Sequence, residues 1–269
     1  MLRLGQRAAQ RHASKASSGG PPAEVSCGSQ DPVVPDFLPG REAFPWHARA
    51  VLPLRDMNPA GRPPLMTYLL IAINVAVYGY QHSLPGSAGA QLVEQWGLVP
   101  YFISHLHWAS ASTLVTSLFL HASFWHLAFN MWFLHIFGDN VEDVLGRARF
   151  ALFYVVCGVL AALAHTAVQP QATVPMVGAS GAIFGVMAAY LKLYPHVRIT
   201  AFFLVLIRVP AVFFIVFWFV LSGLDSVRSL TSDQGRVAFF AHVGGFLAGL
   251  YLLSPLVRGV ERLRPQAPR

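Results

Sequence analysis

The sequence predicts an all-α, polytopic membrane protein built as a bundle of six transmembrane helices. Three observations carry that class. Hydrophobic residues make up 55% of the 269 residues and charged ones 12%, with a mean hydropathy of +0.50, whereas soluble domains carry about 25% charge. Six segments, roughly 65 to 81, 124 to 141, 150 to 168, 177 to 194, 208 to 224 and 237 to 257, come within a few residues of the ~20 apolar positions that a spanning helix needs. If these segments alternate in direction, all of the 19 Lys and Arg residues except Arg228 and Arg236 fall on one side. That asymmetry orients membrane proteins and places both chain ends in the cytoplasm.

The chain opens on a different material. Residues 1–51 begin with Arg3, Arg7, Arg11 and Lys15 and have no acid before Glu24; a Pro, Gly and Ser-rich stretch follows. Such a composition cannot build a core, and a disordered tail is the plain reading. Its Arg- and Ser-rich, acid-poor character also fits an organellar transit peptide, while the lack of an apolar run after the basic start argues against a secretory signal. Residues 52–257 form one membrane domain without an internal repeat, and 258–269 form a basic cytoplasmic tail.

Composition also excludes several functions. The net charge of +7 is spread over tails and short loops, not gathered on one face with polar readers, so no nucleic-acid partner is expected. Cys27 lies in the polar tail and Cys157 in an apolar span, which gives neither a disulfide framework nor a metal-type spacing.

The alternating topology has a chemical consequence. Spans two, four and six all enter from the outer side, so His126, Asn130, Ser180 and His242 share one depth in their first turns. A serine in a membrane helix ordinarily bonds a carbonyl one turn back, and a lone His usually bridges helices. Here Gly178 and Gly181 flank Ser180, and small residues recur at Gly181 and Gly185 and at Ala241, Gly245 and Gly249. That period lets helix backbones pack closely, which would bring His242 against Ser180. An imidazole in reach of a hydroxyl is an activated nucleophile. No acid lies in spans four to six, so a dyad is expected. His126 and Asn130, four apart, share a helix face and can both donate to an oxyanion. Intervals of five and nine between His121, His126 and His135 do not stack on one face, so neither metal nor other cofactor is expected. Asn74, His135 and His165 read as helix-bridging groups. Ala182 breaks the GxSxG elbow of soluble hydrolases.

Together, Gly178-Ala179-Ser180-Gly181, His126-Leu-Ala-Phe-Asn130 and Ala241-His242-Val-Gly-Gly245-Phe-Leu-Ala-Gly249 resemble the rhomboid intramembrane serine proteases over about residues 52 to 257. The PLRD stretch before LIAINVAVY resembles bacterial members most. The resemblance implies a six-helix rhomboid-like bundle with Ser180 as nucleophile and His242 as general base. It further implies an oxyanion hole of His126, Asn130 and the Ser180 N–H. Phe184 would sit under the imidazole, Gly245 and Gly249 would pack helices, and Glu142 with Gly146 would be structural. Many members carry a Trp-Arg pair where this chain has Ser112 and Thr113, with Trp108 nearby; the pair is structural in the family and often missing from bacterial relatives.

The expected partners are the lipid bilayer and single-pass transmembrane protein substrates whose helices unwind at Gly, Ala or Pro. Hydrolysis at depth needs a water-filled cavity open to the outer side. The polar stretch LDSVRSLTSDQG, with the fifth span, is expected to cap and gate that cavity. The expected location is the bacterial cytoplasmic membrane, with the mitochondrial inner membrane as alternative. An inactive rhomboid-like escort of membrane helices is the rival function. A transporter fits less well, because no inverted repeat is evident and the polar groups share one depth.

Overall fold

Glu142 and Gly146 show how the chain builds its helical frame. In the computed structural model, which describes residues 52–203, 205–229 and 239–263, the long helices are α1 (Leu65–Ser83), α2 (Phe124–Leu145), α3 (Arg147–Val168), α4 (Ser180–Leu193), α5 (Ala211–Ser229) and α6 (Phe239–Leu263). Each occupies one of the six apolar segments of the sequence. The N-terminal tail, assigned above to residues 1–51, lies outside the described residues, as does the chain beyond Leu263.

Pro64 starts α1 without a side-chain cap. The buried Glu142 of α2 supplies the missing acceptors: its carboxylate receives the Met66 and Thr67 N–H groups at 3.0 and 2.8 Å and the Thr67 hydroxyl at 2.8 Å. An anion at a helix N-terminus satisfies orphan donors and complements the dipole. One turn later Gly146, at φ +77°, ends α2 in a backbone region open chiefly to glycine and turns the chain straight into α3.

The all-α expectation needs one amendment. A three-stranded antiparallel sheet, β1 (Leu52–Asp56), β2 (Arg198–Phe203) and β3 (Val205–Pro210), runs in the order β1-β2-β3. Arg208 to Pro210, read above as the start of the fifth span, pair with Thr200 to Arg198 instead, so α5 begins at Ala211. β1 pairs with β2 through a register shift between Pro53 and Arg55. Ile199 and Ala201 face inward, and the Trp132 indole of α2 donates to the Pro53 carbonyl at 2.6 Å. The Tyr190 hydroxyl of α4 and the Asn140 amide of α2 donate to Asp56 at 2.8 and 2.9 Å. The sheet is thereby tied to two helices.

Helix α6 packs on both α3 and α4. Between α2, α4 and α5 the core is aromatic: Phe137 meets Tyr190 at 5.0 Å and Phe214 at 6.3 Å, and Phe133 meets Trp218 at 5.0 Å, within the range where ring pairs attract. Helices α3 and Phe239–Arg258 of α6 are long and apolar enough, by length and composition, to cross a membrane; Ser180–Leu193 and Ala211–Leu224 are apolar but shorter. Of the stretch expected to cap the site, residues 224–229 continue α5, and 230–235 lie outside the described residues.

Candidate active site

Ser180 opens α4, and the segment before it is pinned from outside the bundle. Leu98 and Met176 exchange backbone hydrogen bonds of 3.0 and 2.7 Å, and the Gly178 N–H donates to the Ser117 carbonyl at 2.9 Å. The long connection between α1 and α2 thus fixes where α4 begins. Gly178 holds φ +123°, and a Cβ there would lie 2.5 Å from the His126 ring. Its missing side chain is the space in which the imidazole sits.

His126 is positioned by its own helix start. Ser123 is the N-cap of α2, and its hydroxyl accepts the His126 N–H at 3.0 Å, the usual capping geometry. Asn130 follows one turn along, buried, with no protein acceptor for its Nδ2 among the described residues. Among the described residues, no hydrogen bond joins His126 or Asn130 to Ser180.

His242 comes from the first turn of α6. A Cβ on Gly245 would overlap the Gly181 carbonyl, and one on Gly249 the Gly185 carbonyl, so the two backbones meet without side chains between them. That approach sets His242 Nε2 2.8 Å from Ser180 Oγ, the contact the small-residue spacing predicts. The Phe184 ring lies 4.4 Å from the imidazole at an interplanar angle of 21° and is itself braced edge-on by Phe219 of α5 at 6.0 Å. With Nε2 accepting from the hydroxyl, the ring proton belongs on Nδ1, which has no protein partner among the described residues. The arrangement is a two-membered hydroxyl-imidazole pair, with the ring held in plane by stacking.

The other polar groups divide. His121 and His126 meet edge to face at 5.1 Å. His135 stacks at 6.0 Å on Tyr68 of α1, joining two helices. Asn74, expected to bridge helices, meets the Tyr154 side chain of α3 and also donates to Leu70 of its own helix at 2.8 Å, the short i to i−4 link that such side chains make. Ser123 and Ser117 were not singled out by the sequence reading. A serine three residues before His126 at the head of an apolar run was the available signal for the first; the second acts through its carbonyl and left none.

Comparison with known proteins bears on this geometry. A Rhomboid domain matches residues 107–259, more than half of the chain. The chain belongs to the rhomboid family. Among its relatives, the mitochondrial rhomboid protein 1 of Saccharomyces cerevisiae is 30% identical over 208 residues, covering 75% of this chain and 56% of the relative. The rhomboid protease GluP of Bacillus subtilis is 29% identical over 198 residues, 72% of this chain and 35% of the relative. The mitochondrial presenilin-associated rhomboid-like protein of Bos taurus is 27% identical over 177 residues, 59% and 44% of the two chains. This rhomboid therefore spans between about a third and just over half the length of these relatives. Like its family it is an integral membrane protein, mostly helical.

Proposed function

We propose that this rhomboid is an intramembrane serine endopeptidase, with Ser180 as nucleophile and His242 as general base. The observation that carries the reading is the 2.8 Å contact between His242 Nε2 and Ser180 Oγ. In this mechanism the imidazole takes the hydroxyl proton as Oγ attacks the scissile carbonyl carbon, then gives it to the departing amine. An acyl-serine is left, and water activated by the same Nε2 releases it. Phe184 keeps the imidazole facing the hydroxyl throughout.

The negative charge that develops on the carbonyl oxygen needs donors. His126, Asn130 and the Ser180 N–H at the start of α4 are assigned that part. The unpartnered Asn130 Nδ2 and the seat of His126 against Gly178, two residues before the nucleophile, support it. Each such donor is worth about 3 kcal/mol of transition-state stabilisation.

All six long helices, α1 to α6, are taken to span the bilayer, with residues 52–257 as the membrane domain. Residues 1–51 and 258–269 then extend from its Lys- and Arg-rich side. The substrates are transmembrane proteins whose helix unwinds near the level of Ser180, because a helical carbonyl is already engaged. The location is the bacterial cytoplasmic membrane or the mitochondrial inner membrane, which fractionation of the source cell separates.

A fluorescent fluorophosphonate tests the chemistry on detergent-solubilised protein. Labelling is expected for the native chain and lost in Ser180→Ala and His242→Ala; equal labelling of all three removes the proposal. Cleavage of a reconstituted single-span substrate then separates a protease from an escort of membrane helices.

A further inference from the structure

The sheet has two unlike faces. Pro53, Ile199 and Ala201 are buried against the helices. Residues paired directly across strands share a face, so the Thr200 and Arg208 pair and the Phe202 and Leu206 pair lie on the other side with Arg198. Arg55 is opposite Thr200 in β1. Outward are Phe202, 46% exposed, and Leu206, 67% exposed, together with three exposed arginines. None of the three makes a salt bridge among the described residues, and Asp56, the one acid of the three strands, bonds inward to Tyr190 and Asn140.

This face lies at the end of the bundle remote from the reactive pair. The 14 residues of α4 separate Ser180 from it, a rise of about 21 Å. Strand β3 also leads directly into α5, where Phe213, Val216, Phe217 and Val220 are exposed, Phe213 to 70%.

An exposed patch of aromatic and aliphatic side chains marks an interaction surface. Arginine beside it fits a surface that is apolar within and anionic at its rim, because the guanidinium can stay at the phosphate level while its stem lies on hydrocarbon. We propose that the outer face of β1-β2-β3 is a lipid-docking surface that seats on the anionic leaflet at the Lys- and Arg-rich side, with Phe202 and Leu206 in the acyl boundary and Arg55, Arg198 and Arg208 at the phosphates. The inference rests on the membrane-spanning reading of α4 and α5 given above. Its occupant is lipid rather than protein, because β3 leads directly into a helix that exposes Phe213, Val216, Phe217 and Val220 and, among the described residues, the unpaired charges of the face are of one sign.

The test uses the full chain with Cys27→Ser, Cys157 being buried, and a nitroxide on Leu206→Cys, Val216→Cys or Arg62→Cys. Leu206 and Val216 are exposed, and the Arg62 side chain is 74% exposed, so the labels disturb no core. Collision with oxygen and with a water-soluble nickel chelate is measured in phosphatidylcholine vesicles with and without phosphatidylglycerol. With anionic lipid, residue 206 is expected to match residue 216: open to oxygen and closed to nickel. Arg55→Gln, Arg198→Gln and Arg208→Gln should each raise nickel access roughly fivefold, the ratio set by about 1 kcal/mol per cation at an anionic surface. Nickel access at 206 equal to that at 62, with 216 still closed, overturns the inference alone. Access at 216 as well brings down the spanning reading beneath it. Shielding of 206 from both probes means that protein covers the face, and overturns the inference too.

Discussion

Gly245 of α6 faces the Gly181 carbonyl of α4 so closely that a single methyl group would occupy the oxygen's place. His242 stands one turn before Gly245 on the same helix, so the separation of two backbones fixes the separation of Ser180 and His242. Gly245→Ala must push α6 away. We expect a loss of about 3 kcal/mol, the upper range for overpacking, and a fall of roughly 100-fold in fluorophosphonate labelling, since a misplacement near 1 Å has that effect. Gly249→Ala, against the Gly185 carbonyl one turn deeper, should destabilise similarly but leave more labelling. Thermal unfolding in detergent and gel fluorescence read the two effects separately; equal labelling of both variants would show that the glycine contact does not set the pair.

Gly178 and His126 form the second such dependence. Gly178→Ala sets a methyl group 2.5 Å from the imidazole and strains a residue at φ +123°. If His126 and Asn130 hold the oxyanion, His126→Ala and Asn130→Ala should each lower kcat by about 10²- to 10³-fold. Gly178→Ala should resemble His126→Ala. Single-turnover cleavage of a single-span substrate decides this, and a Gly178→Ala chain with native kcat would refute the link.

Glu142 is predicted to act on stability and not on chemistry. Its carboxylate accepts three hydrogen bonds at the head of α1; Glu142→Gln removes the charge and turns an NH2 toward an N–H donor. The expected loss is about 1.5 to 3 kcal/mol, as for bonds to a charged group, seen as a lower melting temperature. Labelling of Ser180 at low temperature should be unchanged.

Asp56 predicts a pH effect. Burial is the main cause that raises its carboxyl above the ordinary 3.8, against the hydrogen bonds from Tyr190 and Asn140, which pull it down. Between the unfolded and the raised folded value the native state binds more protons than the unfolded chain, so this group's contribution to stability falls as pH climbs through that window and levels off above it. Asp56→Asn should flatten the slope just above pH 3.8, measured as the difference between the two chains' unfolding curves. Parallel curves would mean that the carboxyl titrates alike in both states.

Six long helices and the contact of Ser180 with His242 were legible in the sequence. Uninterrupted apolar runs of this length have few places to go but a helix, and each run became one. Intervals of four at Gly181 and Gly185 and at Gly245 and Gly249 are visible along one chain because helical period is a local property, and they sufficed to predict that Ser180 would meet His242. The tertiary structure alone decided the sheet, the seat of His126 and the cap on α1. Leu52 finds Phe202, Glu142 finds Thr67, and Gly178 makes room for His126 across distances in sequence at which no period survives. Strands of five or six residues, one interrupted by a bulge at Pro53 and Arg55, leave almost no pattern of their own; a strand needs its neighbour's hydrogen bonds to exist, and that neighbour is chosen by the packed bundle.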